Sequence, residues 1–202
     1  MAKPIAGILV FAGKETVMQP AVYEPREDSW LLEKAIAAYA FGRVLDLGTG
    51  SGIQAIAAAR KKEVGSVVAT DINPNALKQA KANAATSGVA EKIVFIKSDL
   101  FENIQGKFDT IAFNPPYLPE DEEKVGDVAL ESGESGRKLT EKFLNEFERH
   151  LNPKGVVLLL QSSASGWKET KQALEEKSFA VETVGRDKFF FEEIVVLKAQ
   201  RK

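Results

Sequence analysis

Residues 43–61, RVLDLGTGSGIQAIAAARK, run from a compact apolar stretch through three closely spaced glycines into an alanine-rich segment. A strand that passes into a helix through G-x-G-x-G needs a tight turn and leaves room for a ligand near the helix N-terminus. The alternation continues downstream. Apolar runs at 66–71, 92–99, 108–113 and 155–161 read as strands, and segments at about 74–86, 138–151 and 167–177 read as helices. Pro74 suits a first helical turn. Upstream, residues 29–40 are helical, with Asp28 or Ser29 placed as the N-cap. Strands alternating with helices dictate a parallel sheet covered on both faces. The last two strands, 179–185 and one within 189–198, have no helix between them, so a hairpin adds one antiparallel strand. The expected fold is α/β: a doubly wound, mostly parallel seven-stranded sheet, helices on both faces, one antiparallel strand near the C-terminus.

The chain has 202 residues, enough for one substantial core, and is read as a single domain over 1–202. Residues 1–21 form an N-terminal arm, read as a first strand or an ordered segment in preference to a secretory leader. No apolar stretch is long enough to span a bilayer as a helix. With 27 basic and 29 acidic side chains the net charge is −2, and the pI is about 5.7. A dedicated nucleic-acid-binding domain is usually strongly basic, so the balance weighs against that class. The chain contains no cysteine, which excludes thiolate metal sites and a cysteine nucleophile; no metal site is expected. The single histidine, His150, lies near a helix end and reads as a solvated or dipole-facing side chain. Residues 118–137, LPEDEEKVGDVALESGESGR, make the one long irregular segment, a substrate-side loop by its length.

The glycine turn, Gly48, Gly50 and Gly52, is not the dinucleotide G-x-G-x-x-G, and no phosphate-loop G-K-[ST] follows it. Alone it is a tight turn and little more. Carboxylates at the ends of three strands change its meaning. Asp46 precedes the turn, Asp71 ends the second strand of the alternating series, and Asp99 ends the third. An acid at Asp71 can accept both hydroxyls of a ribose seated at the turn, and one at Asp99 can accept an exocyclic amine. A fourth strand end carries Asn114-Pro115-Pro116-Tyr117. Two prolines fix φ near −65° and cannot donate backbone hydrogen bonds, so this corner is stiff and rich in acceptors.

Together, LDLGTGSG, the strand-end Asp71, Ser98-Asp99 and Asn-Pro-Pro-Tyr resemble the class I S-adenosylmethionine-dependent methyltransferases, of Rossmann-like fold, and among them the amino-methylating kind. The resemblance implies S-adenosyl-L-methionine as cofactor. It implies that Asp46 and the glycine turn surround its methionine moiety, that Asp71 holds the ribose, and that Asp99, with Leu100 beside it, meets the adenine. Asn114 borders the cofactor as well.

Methyl transfer to nitrogen needs the acceptor in line with the methyl carbon, at roughly 3–3.5 Å. An amide or aromatic amine has a planar, delocalised nitrogen. The Asn114 side-chain oxygen and the Pro115 carbonyl are suited to hold its hydrogens, with Pro115 and Pro116 keeping both stiff and Tyr117 offering a ring to a planar substrate. Asn114 is the main catalytic residue on this reading. The motif serves adenine, guanine and glutamine alike. The segment VYEPREDSWLLEKAI (22–36), with Tyr23, Glu24, Pro25, Glu27, Asp28 and Ser29, resembles the HemK-like glutamine methyltransferases, in their short archaeal and eukaryotic branch. That resemblance implies Ser29 touching the cofactor, a cytoplasmic enzyme, and as substrate a glutamine in the Gly-Gly-Gln loop of a class 1 translation release factor. It also implies a small zinc-binding activator subunit as a partner, and recognition without the bacterial N-terminal helical domain. The alternatives are an adenine-N6 or guanine-N2 methyltransferase acting on DNA or RNA, and a catalytically silent cofactor-binding scaffold. The acidic run beside the motif weighs against nucleic acid, whose phosphates want Lys and Arg.

Overall fold

Val44-Leu45, Ile111-Ala112 and Val156 to Leu160 are continuous apolar runs with almost no exposed surface, as expected of strands buried on both faces. The computed structural model describes residues 8–11, 14–17, 22, 24–116, 137–188 and 192–202. Two short strands, β1 (Ile8–Phe11) and β2 (Lys14–Val17), pair antiparallel as a separate ribbon. Then follow α1 (Glu27–Tyr39), β3 (Gly42–Leu47), α2 (Ile53–Ala59), β4 (Val64–Asp71), α3 (Pro74–Thr86), β5 (Ile93–Lys97) and β6 (Phe108–Phe113). The described chain closes with α4 (Lys138–His150), β7 (Leu151–Ser162), α5 (Trp167–Glu176), β8 (Phe179–Lys188) and β9 (Glu193–Arg201).

Seven strands form one sheet in the order β5-β4-β3-β6-β7-β9-β8. β5, β4, β3, β6 and β7 pair in parallel, and β9 runs antiparallel between β7 and β8. The expected architecture holds, including the hairpin and its one antiparallel strand. The return strand β9 does not sit outside β8; it slots against β7, so the hairpin extends the sheet by its second arm first.

Alternate residues serve two cores. Val44, Ala112, Val156, Leu158, Leu160 and Val196 face α1 and α2. Leu45, Leu47, Ile111, Phe113, Leu159 and Leu197 face α4 and α5. The second face is aromatic: Phe143 lies 5.3 Å from Phe113 and 5.2 Å from Phe147, centroid to centroid. Ring pairs at such distances add about 0.5–1.5 kcal/mol beyond their buried area. Phe113 is thereby fixed immediately before Asn114.

One local expectation is corrected, and another gains detail. Helix α1 begins at Glu27 with Arg26 at the N-cap, so neither Asp28 nor Ser29 caps it. Both lie buried in the first turn, for a reason given below. His150 is the last residue of α4, as expected near a helix end, but its ring stacks on Phe101 at 4.8 Å and its Nδ1 lies 3.2 Å from the Gly106 carbonyl. The Pro74 helix start is as the sequence predicts, with Asn73 as N-cap accepting from the Asn75 amide at 2.9 Å.

Candidate active site

The carboxyl ends of β3, β4, β5 and β6 lie side by side, because parallel pairing brings every strand end to one edge. Asp46, Asp71, Asp99 and Asn114 therefore belong to one edge of the sheet, as the order of the motifs suggests. Tyr117 and Tyr23 lie outside the described residues, as does all of the 118–137 loop except Arg137. Arg137 donates to the carbonyls of Ser165 at 2.6 Å and Gly166 at 2.7 Å, anchoring the start of α4 to the turn after β7.

Asp46 is the most enclosed of the acids. Its Oδ2 accepts from the Thr49 hydroxyl at 2.6 Å and from the Ala55 amide at 3.0 Å. Burial pushes its carboxyl up to about 7, against the opposing pull of those two donors, and neighbouring Asp71 adds to the rise. Asp46 thus ties the glycine turn to the start of α2 from the inside. Asp71 ties it from the next strand: one oxygen accepts from the Gly50 amide at 2.9 Å, the other from Asn73 at 2.8 Å. Burial raises Asp71 too, and these backbone donors oppose the rise. A carboxylate has about four lone-pair positions, so Asp71 keeps acceptor capacity for a ligand's hydroxyls.

The three glycines have different tasks. Gly50, at φ 53°, has nothing within 4 Å of where a side chain would project, so its face toward a ligand is open. Gly52, at φ 87°, is instead pressed on α3, where an added Cβ would stand 2.9 Å from the Ala80 Cβ. Gly48 is held at φ 63°, with the Phe113 ring at ordinary contact distance, 3.8 Å.

At the end of β5, Asp99 faces Lys142 across 3.5 Å and is substantially exposed. Leu100 follows it at φ 45°, one of two described non-glycine residues in the left-handed region. Such a conformation costs of order 1–3 kcal/mol and persists only where the surroundings hold it. Here Ser98 does so, donating from its hydroxyl to the Leu100 carbonyl at 2.8 Å and accepting from the Asn103 amide at 3.0 Å.

The β6 end differs. Pro115 is buried and Pro116 half-buried beside Asn114. The Asn114 Nδ2 donates to Asp28 Oδ2 at 3.0 Å, while its Oδ1 is buried without a partner among the described residues. Gln54, in α2, repeats the pattern: its Nε2 donates to the Ser29 carbonyl at 2.8 Å and its Oε1 is buried and unpartnered. Neither Asp28 nor Gln54 was picked out by sequence reasoning as a site residue. A lone glutamine inside IQAIAAA was a legible signal; Asp28 was hidden by reading it as a helix cap.

The chain is similar to known proteins over most of its length. Residues 25–191 match the family model of the methyltransferase small domain. The chain belongs to that methyltransferase family. A Methanocaldococcus jannaschii protein provisionally named as a protein N5-glutamine methyltransferase is 44% identical over 198 residues, covering 96% of this chain and 99% of that one. The release factor glutamine methyltransferase of Cereibacter sphaeroides is 32% identical over 171 residues, 80% of this chain and 62% of the longer bacterial protein. Among solved structures, this methyltransferase superposes on the E. cuniculi Mtq2-Trm112 complex, described as methylating the eRF1 translation termination factor. The match has a TM-score of 0.70 at 26% identity, over 90% of this chain and 99% of that one. The resemblance to glutamine methyltransferases drawn from the sequence is borne out.

Proposed function

We propose that residues 1–202 act as one methyltransferase domain that moves a methyl group from S-adenosylmethionine to the side-chain amide nitrogen of a protein glutamine. The substrate on this reading is a class 1 release factor, modified in its Gly-Gly-Gln loop in the cytoplasm. The observation that carries it is Asn114: an amide oxygen buried without a partner, at the end of a strand, beside the glycine turn. A buried acceptor left unmade costs about 1–3 kcal/mol, and such a cost is repaid when a ligand donates to it.

The residues fit the cofactor. Gly50 leaves its face open, and Asp71 is anchored by two backbone amides with acceptor capacity to spare. Asp71 would hold the ribose hydroxyls, Asp99 and Leu100 the adenine, and Ser29, Asp46, Gly48, Gly50 and Gly52 would enclose the methionine end. Bound there, S-adenosylmethionine supplies an electrophilic methyl group on a positively charged sulfur.

The work of the chain itself is positioning. Asn114 Oδ1 and the Pro115 carbonyl accept the two amide hydrogens of the glutamine and turn its nitrogen lone pair toward the methyl. Pro115 and Pro116 keep these acceptors from relaxing. Tyr117 would offer a ring to the planar amide. Transfer there would form the N–C bond as the C–S bond breaks, leaving a neutral thioether, and the proton then shed by the nitrogen would be acidic enough to pass to solvent, so this chain needs no strong base.

The glutamine reading is favoured over nucleic acid by the nearly full-length likeness to a protein named for glutamine methylation, and by the net charge of −2. Likeness to the Mtq2-Trm112 complex supports a small activator subunit as a partner. The test is transfer of labelled methyl to a recombinant archaeal-type class 1 release factor, with and without such a subunit. A control carries Gln→Asn in the Gly-Gly-Gln loop. A tryptic mass gain of one methyl on the wild-type factor, lost in the control, is expected. Transfer to duplex or single-stranded nucleic acid, with none to the factor in either condition, would overturn the reading.

A further inference from the structure

The first turn of α1 is held by two amides from different elements. Asn114, at the end of β6, gives a hydrogen bond to the Asp28 carboxylate at 3.0 Å, and Gln54, in α2, gives one to the Ser29 carbonyl at 2.8 Å. In both cases the amino end is fixed and the oxygen is left buried without a partner. Asp28 is 2% exposed, and its other oxygen accepts from the Ser29 hydroxyl at 3.3 Å. An acid in the first turn complements the helix dipole, but that gain is small. Asp is a mediocre helix former, and burying its charge is costly unless hydrogen bonds compensate.

The geometry gives that carboxylate a task. An asparagine amide can turn over, exchanging oxygen for nitrogen with almost no change of shape. Only one orientation presents an acceptor to a substrate N–H; the other presents a donor and repels it. An ionised carboxylate accepts and cannot donate. Whatever faces Asp28 Oδ2 must therefore be the amino end of Asn114, which leaves Oδ1 on the other side. The bond is charge-assisted, so it is stronger than a neutral pair and draws electron density toward Oδ1. The second hydrogen bond, from Ser29, restrains the carboxylate in turn.

We propose that Asp28 is a positioning residue for methyl transfer: its carboxylate locks the Asn114 amide with Oδ1 turned toward the methyl acceptor. This deepens the glutamine-methylating reading and rests on it. It also gives the first turn of α1 a reason to enter the site, which its lack of a side-chain cap leaves unexplained.

The experiment compares wild type, Asp28→Asn, Asn114→Asp and the double variant on the release factor. It records kcat and KM together with Tm and cofactor affinity. Asp28→Asn keeps shape but can offer either a donor or an acceptor, so the Asn114 amide loses its imposed orientation. The expected result is a fall in kcat on the order of ten- to a hundredfold, with KM, cofactor affinity and Tm close to wild type. Asn114→Asp alone sets two carboxylates face to face and is expected to be the worst of the four. In the double variant donor and acceptor change places, position 114 again turns an acceptor oxygen to the site, and kcat recovers about tenfold or more over Asn114→Asp. Wild-type kcat in Asp28→Asn would overturn the proposal. So would a loss of kcat that tracks falling Tm and cofactor affinity with no recovery in the double variant. If the wild type methylates nucleic acid and transfers nothing to the factor with or without the activator subunit, the glutamine reading falls, and the proposal falls with it by that separate route.

Discussion

The ends of β3 and β6 are neighbours in register, Asp46 opposite Ala112 and Leu47 opposite Phe113, yet their polar residues are used in opposite ways. The Asp46 oxygen Oδ2 is met by two donors, one from the glycine turn and one from the start of α2. Asn114, a few ångströms of chain further along the next strand, has its amino end fixed and its oxygen open. The first arrangement builds the turn; the second is complete only when something else donates to it. Both are strand-end polar residues after apolar runs, and the sequence does not show which of them has its acceptors filled from within the fold. A satisfied group stabilises the fold it sits in, whereas an unsatisfied buried group lowers stability by about 1–3 kcal/mol and so points to a ligand.

Three perturbations sharpen that contrast, in decreasing order of effect. Asn114→Ala removes the open acceptor. It should lower kcat by about 10²–10³-fold, the range seen when one preorganised hydrogen-bonding group is lost from an active site, with Tm lower by only a few degrees. Steady-state kinetics beside a thermal melt would check this, and a kcat near wild type would remove Asn114 from the catalytic role.

The glycine turn can be broken from either side. Gly52→Ala drives a Cβ to 2.9 Å from the Ala80 side chain and 3.0 Å from its Cα. Overpacking of this kind costs about 1–3 kcal/mol, or roughly 2–4 °C of Tm per kcal/mol at this chain length. Gly50→Ala meets no neighbour. It should cost only the left-handed penalty of about 1–2 kcal/mol, but its new methyl group projects into the open face and should weaken S-adenosylmethionine binding about tenfold or more. Melting curves and calorimetric titration of the two variants separate these effects; equal behaviour would mean that the glycines share one task.

The smallest effect is a slope with pH. The Asp46 carboxyl is raised from 3.8 to about 7 by burial, so the folded chain holds a proton that the unfolded chain releases. Its contribution to stability is full below the unfolded value and is lost as pH rises through about 7. Asp71 is raised as well and acts in the same direction. Asp46→Asn removes the titrating group while keeping an acceptor for Thr49 and Ala55. Scanning calorimetry at about pH 5 and about pH 7.5 should show the variant gaining a few degrees on the wild type as pH rises. A constant gap would show that Asp46 does not titrate in that window.

Much of this could be read from the chain alone. Short apolar runs for the strands, Pro74 at a helix start and the closely spaced glycines are local instructions, so the strand–helix alternation and the acidic strand ends followed from the sequence. The motifs at 46–52, 71, 98–100 and 114–116 lie where their order along a parallel sheet puts them. The N-terminal segment, read as a strand or ordered arm, contains β1 and β2.

Tertiary structure decided what no local pattern encodes. Asp28 looked like a cap because Ser, Asp and Asn favour that position; it lies instead in the first turn of α1, 86 residues from the Asn114 amide that it accepts. Gly52 was read only as part of the ligand turn, and its close packing on α3 was not legible. The sequence showed the last two strands as a hairpin without saying which arm joins the sheet, and it is β9 that lies against β7. In each case the deciding partner is distant in sequence. Propensity and periodicity report on a residue's chain neighbours, whereas a hydrogen-bond partner or a steric contact is fixed only when the sheet assembles.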